Sequence, residues 1–361
     1  MSNTSDSPLK IVENAVHKYR NATDTPGIAV AVYDEASFGK SGLIYCKGLA
    51  DLAPTSKVTS QTVFVLGSLT KVFTATLLGI AVEGGGVSLS DTAPTYLGVT
   101  GSPTLETVTL QHLATHTSGM PDSAGGPNPG DNLFGGQPAD QKLKDFWGSF
   151  ESTSVGRYWC YSDIAFVTLG FAVTAMYPDP EKGNYPECLK QQITTPLGMN
   201  HTAPQVESGW QVAKGYVGKD NAPGKHIASD LKSNAEDMLV FIKASLGLID
   251  LTDYPLLAKS IDLTHTNQDV SSCELCPGES VSIELKFQMG LAWQISNATP
   301  TVYSKDGGTT GFTCYMGFIP PQSPTPKQGI GIVVLTNKSQ VPTGYSPTEL
   351  GHSIMQELLK Q

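Results

Sequence analysis

Three short aliphatic runs stand at opposite ends of this 361-residue chain, and they constrain its fold more than anything between them. "PGIAVAVYD" (26–34) lies near the start, bounded by Pro-Gly and Asp, while "FTCYMGFIP" (312–320) and "GIGIVVLTN" (329–337) lie near the end. Each has the length and β-branched character of a buried strand. "GLIYCKGLAD" (42–51) predicts a hairpin partner for the first run, and "KFQMGLAWQI" (286–295) a strand ahead of the last two. The middle of the chain turns helical. "GSLTKVFTATLLGIAVEGG" (67–85) predicts a long buried helix with a glycine stop, "DIAFVTLGFAVTAMY" (163–177) a second, and "SNAEDMLVFIKASLG" (233–247) a capped one. Further helices are predicted over 9–20 and 347–360. The Gly/Pro/Asp/Asn-rich stretch 118–138 is too long for a plain connector and is a candidate cleft wall. Strands at both ends with helices between predict an α/β (α+β) fold. Its antiparallel sheet is built from both chain termini and flanked by helices, with a mostly helical lobe inserted. The expected boundaries are 1–84 and 206–361 for the sheet lobe and 85–205 for the helical lobe, with the active site in the cleft between them.

Composition narrows the function. At 39% hydrophobic and 16% charged residues the chain can bury a large core. A net charge of −10 with no Lys/Arg run argues against nucleic-acid binding. The longest aliphatic run, "LLGIAV" (77–82), is far short of the roughly 20 residues of a membrane span. "MSNTSDSPLK" holds no signal-peptide core, so the expected location is the cytoplasm, or outside the cell for a processed or truncated secreted protein. Five N-x-S/T triplets, at Asn3, Asn21, Asn200, Asn297 and Asn337, would suit secretion. "CELC" (273–276) predicts a loop disulfide or two free thiols. A zinc half-site would need a second C-x-x-C or a paired-histidine half, which the chain lacks.

The chemistry concentrates in three places. "LGSLTKVF" (66–73) sets Ser68 and Lys71 three apart, on one face of the helix that begins there. A serine hydroxyl needs a neighbouring base to become a nucleophile, and a desolvated lysine amine can serve. "YWCYSDIAF" (158–166) places Tyr161 ahead of a Ser-Asp pair at a helix start, and "YSKDGGTTGFTCYMGFIP" (303–320) leads Lys305 through a glycine-rich segment into a strand.

In that order and spacing the sequence resembles the serine β-lactamase and penicillin-binding-protein superfamily, closest to class C β-lactamases and their esterase and peptidase relatives. "TPGIAVAV" (25–32), "FVLGSLTKVFTA" (64–75), "LQHLATHTSGMP" (110–121), "TTPLGMNHT" (194–202) and "VVLTNK" (333–338) resemble that branch too, so the likeness spans nearly the whole chain. It implies a β-lactamase/transpeptidase-like fold and a two-step acyl transfer. Ser68 is then the acylated nucleophile, Lys71 the amine that helps deprotonate it, and Tyr161 the proton relay. Lys305 is the cation that keeps Tyr161 ionisable and steers anionic substrates, and the Ser68 and Gly308 N–H groups form the oxyanion hole, with Gly307 allowing close approach. No cofactor and no metal is implied.

Two positions depart from the family pattern, both toward acid. Lys305-Asp306-Gly307 stands where Lys-Thr-Gly is usual, and Tyr161-Ser162-Asp163 where class C enzymes carry Tyr-Ser-Asn. An ionised Asp163 can only accept hydrogen bonds, and beside Lys71 it would raise the lysine pKa and shift the base role to Tyr161. Asp306 would repel a substrate carboxylate if it faced the site, whereas strand alternation could turn it away. Both acids weaken the case for anionic β-lactams and favour a neutral or amine-bearing ester or amide. The expected activity is therefore a serine hydrolase or acyltransferase of esterase, amidase or D-peptidase type, acting on a small-molecule ester, amide, β-lactam or short peptide. The alternatives are a true β-lactamase or D,D-peptidase, and a non-catalytic binding relative. No G-x-S-x-G elbow is present, "FGKSG" (38–42) lacks the first glycine of a phosphate loop, and "HLATH" (112–116) reads as structural.

Overall fold

A computed structural model describes residues 7–122, 130–177, 184–224, 230–276, 287–321 and 329–361. In chain order the main elements are α1 (Pro8–Thr23), β1 (Gly27–Tyr33), β2 (Leu43–Leu52), β3 (Thr55–Lys57), α2 (Thr70–Glu83), α3 (Asp163–Ala175), α4 (Ala235–Ser245), α5 (Pro255–His265), β4 (Phe287–Met289), β5 (Gln294–Ser296), β6 (Tyr303–Thr309), β7 (Phe312–Ile319), β8 (Ile330–Thr336) and α6 (Pro347–Leu359). They fall into two compact units, one of residues 1–70, 197–249 and 304–361 and one of 71–196 and 250–303. Helix α2 and the segment 250–303, expected with the sheet, group with the helical residues.

The first unit is built on a sheet in the order β6-β7-β8-β1-β2-β3. Strands from opposite chain ends pair antiparallel at its centre, Ile28 with Thr336 and Tyr33 with Gly331. β2 flanks β1 as the expected hairpin partner, and β7 flanks β8. Every residue of β1 and of β8 is buried. Their unbroken apolar runs reflect helices on both faces. Neighbouring residues of β8 show this, since Gly331 packs under Ile242 of α4 while Ile332 faces Gly351 of α6. Just past β8, buried Asn337 accepts the Gly27 N–H on Oδ1 at 2.7 Å and donates to the Leu49, Ala50 and Lys214 carbonyls. Its N-x-S triplet is thus closed to glycosylation in the folded chain, and this asparagine instead fastens the start of β1 to β2.

The second unit is helical in its middle. α3 is apolar around its whole circumference and buried from Ile164 to Gly170, as such a helix must be. Ser162 caps it, accepting the Ala165 N–H at 3.0 Å. Where one strand was expected over 286–295, the described residues form two, β4 and β5, paired antiparallel. The chain turns between them because Gly290 lies against the Thr264 carbonyl, too close for any side chain, and Ala292 has φ +65°. That turn is hidden in the sequence because Leu291, Ala292 and Trp293 are themselves fully buried. Residue 286 lies outside the described residues, as do 123–129 of the glycine-rich stretch. Among the described residues no helix is long and apolar enough to cross a membrane.

His265, at the end of α5, lies against the rings of Trp293 and Tyr303, and burial pulls its pKa down to about 3. An unfolded histidine titrates near 6.5, so the unfolded chain takes up a proton that the native chain refuses. The stability this group contributes is complete above about pH 6.5 and drains as pH falls toward 3, by up to about 1.4 kcal/mol per pH unit. In His265→Phe the thermal midpoint should fall less steeply between pH 7 and 4 than in the wild type. Equal slopes would remove His265 from the acid response.

Candidate active site

The first unit places Ser68 in a 3-10 turn, Gly67–Leu69, that leads straight into α2. Phe64–Val65 ahead of it pairs antiparallel with Lys232–Ser233, and the Leu66 N–H donates to Leu231 at 2.8 Å. From Thr62 to Ile80 every residue is buried except Ser68, which is partly exposed. Gly67 has φ +56°, and a Cβ there would stand 2.7 Å from the Gly308 nitrogen. A Cβ at Gly307 would stand 2.2 Å from the Leu66 carbonyl oxygen. Only glycine fits at either point, and the Ser68 turn therefore lies backbone to backbone on β6. Along β6 the side chains alternate: Lys305 is buried and the Asp306 side chain is 61% exposed. The Asp306 carboxylate still reaches to 3.5 Å from the Lys305 ammonium, which also donates to the Asp306 carbonyl at 3.1 Å.

The second unit gathers Lys71, Tyr161 and Asp163. Lys71 is buried in the first turn of α2, and its Nζ meets Asp163 Oδ1 at 2.5 Å. The same ammonium lies 4.9 Å from the centre of the Tyr161 ring and 5.8 Å from that of Phe166, over ring faces that attract a cation. Burial by itself depresses the Lys71 pKa, but the Tyr161 oxygen and the Asp163 carboxylate outweigh it and the net shift is upward. Asp163 heads α3, where a helix start favours negative charge. A second acid, Asp122, accepts the Asp163 N–H at 3.3 Å on its carboxylate, and burial together with the Asp163 charge raises its pKa. Two carboxylates thus stand beside one ammonium.

Tyr161 is presented by a short strand, Tyr158–Trp159, paired in parallel with Glu274–Leu275. A disulfide from Cys160 to Cys276 locks that pair next to the tyrosine. The C-x-x-C motif is therefore not a loop disulfide: Cys276 bonds a partner 116 residues away, and Cys273 stays a thiol. Sequence reasoning missed this bond because spacing says nothing about a pairing so distant, and it missed Asp122, which carries no motif of its own. Among the described residues no group of three or more His, Cys, Asp or Glu side chains is placed to hold a metal ion.

Residues 12–350 match the Beta-lactamase family. The chain belongs to that family. Among its curated relatives, a beta-lactamase of Providencia stuartii is 26% identical over 91% of this chain and 86% of its own length. One of Escherichia coli (strain K12) is 27% identical over 87% and 84%. The fold is that of solved class C β-lactamases. One superposes with a TM-score of 0.79 over 99% of this chain and 98% of its own, at 22% identity, and one from Rhodobacter sphaeroides with 0.76 over 97% and 99%, also at 22%. As a β-lactamase-family enzyme the protein is a serine hydrolase.

Closing a loop of this length with a disulfide constrains the unfolded chain, an effect of about 2–5 kcal/mol. Cys276→Ser should lower the unfolding free energy by about that amount in denaturant titrations, and a reductant should then have no further effect. An unchanged midpoint would mean that the bond contributes nothing to stability.

Proposed function

We propose that this β-lactamase-family enzyme hydrolyses small esters or amides whose acyl part is neutral or carries an amine, through an acyl-enzyme on Ser68. The observation that carries the proposal is the Lys71–Asp163 ion pair with Asp122 beside it. A lysine held as an ammonium cannot take the serine proton, so Tyr161 is the base and Lys71 stabilises its phenolate. The Ser68 Oγ–acyl bond forms as the proton passes to Tyr161. The bond to the leaving group then breaks, with Tyr161 returning that proton to it. Water then gives a proton to the same oxygen as it attacks the acyl carbon, the bond to Ser68 Oγ breaks, and the proton returns to Oγ as the acid leaves. The Ser68 and Gly308 N–H groups hold the oxyanion, and Gly67 and Gly307 permit the close backbone approach that this role requires. Lys305 supplies positive charge, opposed by the Asp306 carboxylate 3.5 Å away. The negative balance of Asp122 and Asp163 over Lys71 disfavours a substrate carboxylate and favours an ammonium group.

A second reading is favoured by the names of the relatives. Those of Providencia stuartii and Escherichia coli are called beta-lactamases, and one structure of the same fold is a class C β-lactamase in complex with cefoxitin. Under it the enzyme opens β-lactams, or cleaves peptides as a D,D-peptidase.

Steady-state kinetics separate the two. With a short-chain p-nitrophenyl ester the wild type should turn over and Ser68→Ala should lose at least about 10³-fold in kcat/KM. A penicillin should be the poorer substrate. Asp163→Asn should improve the penicillin by roughly tenfold, a fraction of the unscreened charge effect. A wild type that opens penicillin faster than it cleaves the ester would establish the second reading, and full activity in Ser68→Ala would end both.

A further inference from the structure

We propose that His116 is a positioning residue that holds Tyr161 in its working orientation. The inference rests on Tyr161 being the proton carrier of the proposed function, and it assigns to His116 a role beyond filling the core.

His116 follows the short helix Leu110–Ala114 and is buried, with only 1% of its surface exposed. It grips the tyrosine from three sides. Its carbonyl accepts the N–H of Cys160, the residue before Tyr161, at 2.8 Å. Its ring nitrogen Nδ1 accepts the N–H of Ser162, the residue after, at 3.1 Å. The face of its ring stacks on the Tyr161 ring, with centres 4.4 Å apart and planes 27° apart. Trp159 and Phe166 close on the same imidazole at 5.7 and 4.9 Å.

One backbone feature makes the triple contact feasible. His116 has φ +60°, in the left-handed region that non-glycine residues enter only when the surroundings fix them there. That conformation aims carbonyl and imidazole at the same three-residue stretch. A residue present only for its volume needs neither the rare φ nor a hydrogen-bond acceptor. Because Nδ1 accepts, the hydrogen-bond network assigns the neutral ring with its proton on Nε2. The phenol ring thus has this imidazole stacked on it and the Lys71 ammonium 4.9 Å from its centre. Proton transfer from a serine hydroxyl depends on such positioning, since displacement of a reacting group by about 1 Å costs on the order of 10²-fold in rate.

The test is a mutant cycle read by kcat and KM on a p-nitrophenyl ester. His116→Asn keeps an oxygen acceptor for Ser162 and tolerates the left-handed backbone, but has no ring to stack. His116→Phe keeps a ring and loses the acceptor. We expect kcat to fall by about 10²-fold in His116→Phe and about tenfold in His116→Asn, with KM within about threefold of wild type in both. In a Tyr161→Phe background His116→Asn should cost less than about twofold more, because the loss acts through the tyrosine oxygen. Folded His116 variants with wild-type kcat, or with a raised KM and unchanged kcat, would overturn the proposal alone. An undiminished loss in the Tyr161→Phe background would do the same. A Tyr161→Phe enzyme with wild-type kcat would overturn it together with the role of Tyr161. His116→Asn decides the matter if His116→Phe does not fold.

Discussion

The pairing of β1 with β8, strands about 300 residues apart in sequence, is the constraint on which the first unit depends. Closing so long a loop is entropically costly, and it is offset by two strands buried on every residue and by helices on both faces. Once that sheet exists, β6 runs beside β7 and its Gly307 and Gly308 lie under the turn that carries Ser68. The Ser68 turn is thus supported by the sheet that the chain ends assemble. Gly307, like Gly67 in the turn itself, tolerates no side chain, for a steric reason that precedes any catalytic one.

In the second unit the governing interaction is electrostatic. Lys71 is buried, and burial alone would push it toward the neutral amine that a general base must be. The Tyr161 oxygen and Asp163 reverse that tendency. On the proposed mechanism this one carboxylate, where the class C pattern has an amide, moves the proton-accepting role from lysine to tyrosine. It also leaves Asp122 beside Asp163, and the proposed preference for a neutral or amine-bearing substrate rests on that balance of charge.

Much of this was legible in the sequence. The buried strands at both ends, the helix that starts at Ser68 and the capped helix after Asn234 all announce themselves by periodicity and punctuation. The pairing of Lys71 with Asp163 could be anticipated because both belong to motifs. What escaped did so for physical reasons. The turn that splits 286–295 is as apolar as the strands it joins, so no polar punctuation marks it. Cys160 and Cys276 meet only through tertiary structure. His116 sits in a segment whose residues look structural, and its grip on Tyr161 depends on a left-handed φ that no residue type announces. Asn337 shows the converse: a surface motif by its letters, it is a buried fastener of the sheet.

The most direct test of the account is the protonation state of Lys71. The side-chain Cε resonance of Lys71, in protein carrying labelled lysine and assigned with a Lys71→Arg variant, should be followed by NMR from about pH 6 to about pH 11. The account predicts an ammonium that does not titrate below about 10.5, the ordinary lysine value, and whose pKa falls in Asp163→Asn. A Lys71 that loses its proton near neutral pH in the wild type would contradict it, and would return the role of base from Tyr161 to the lysine.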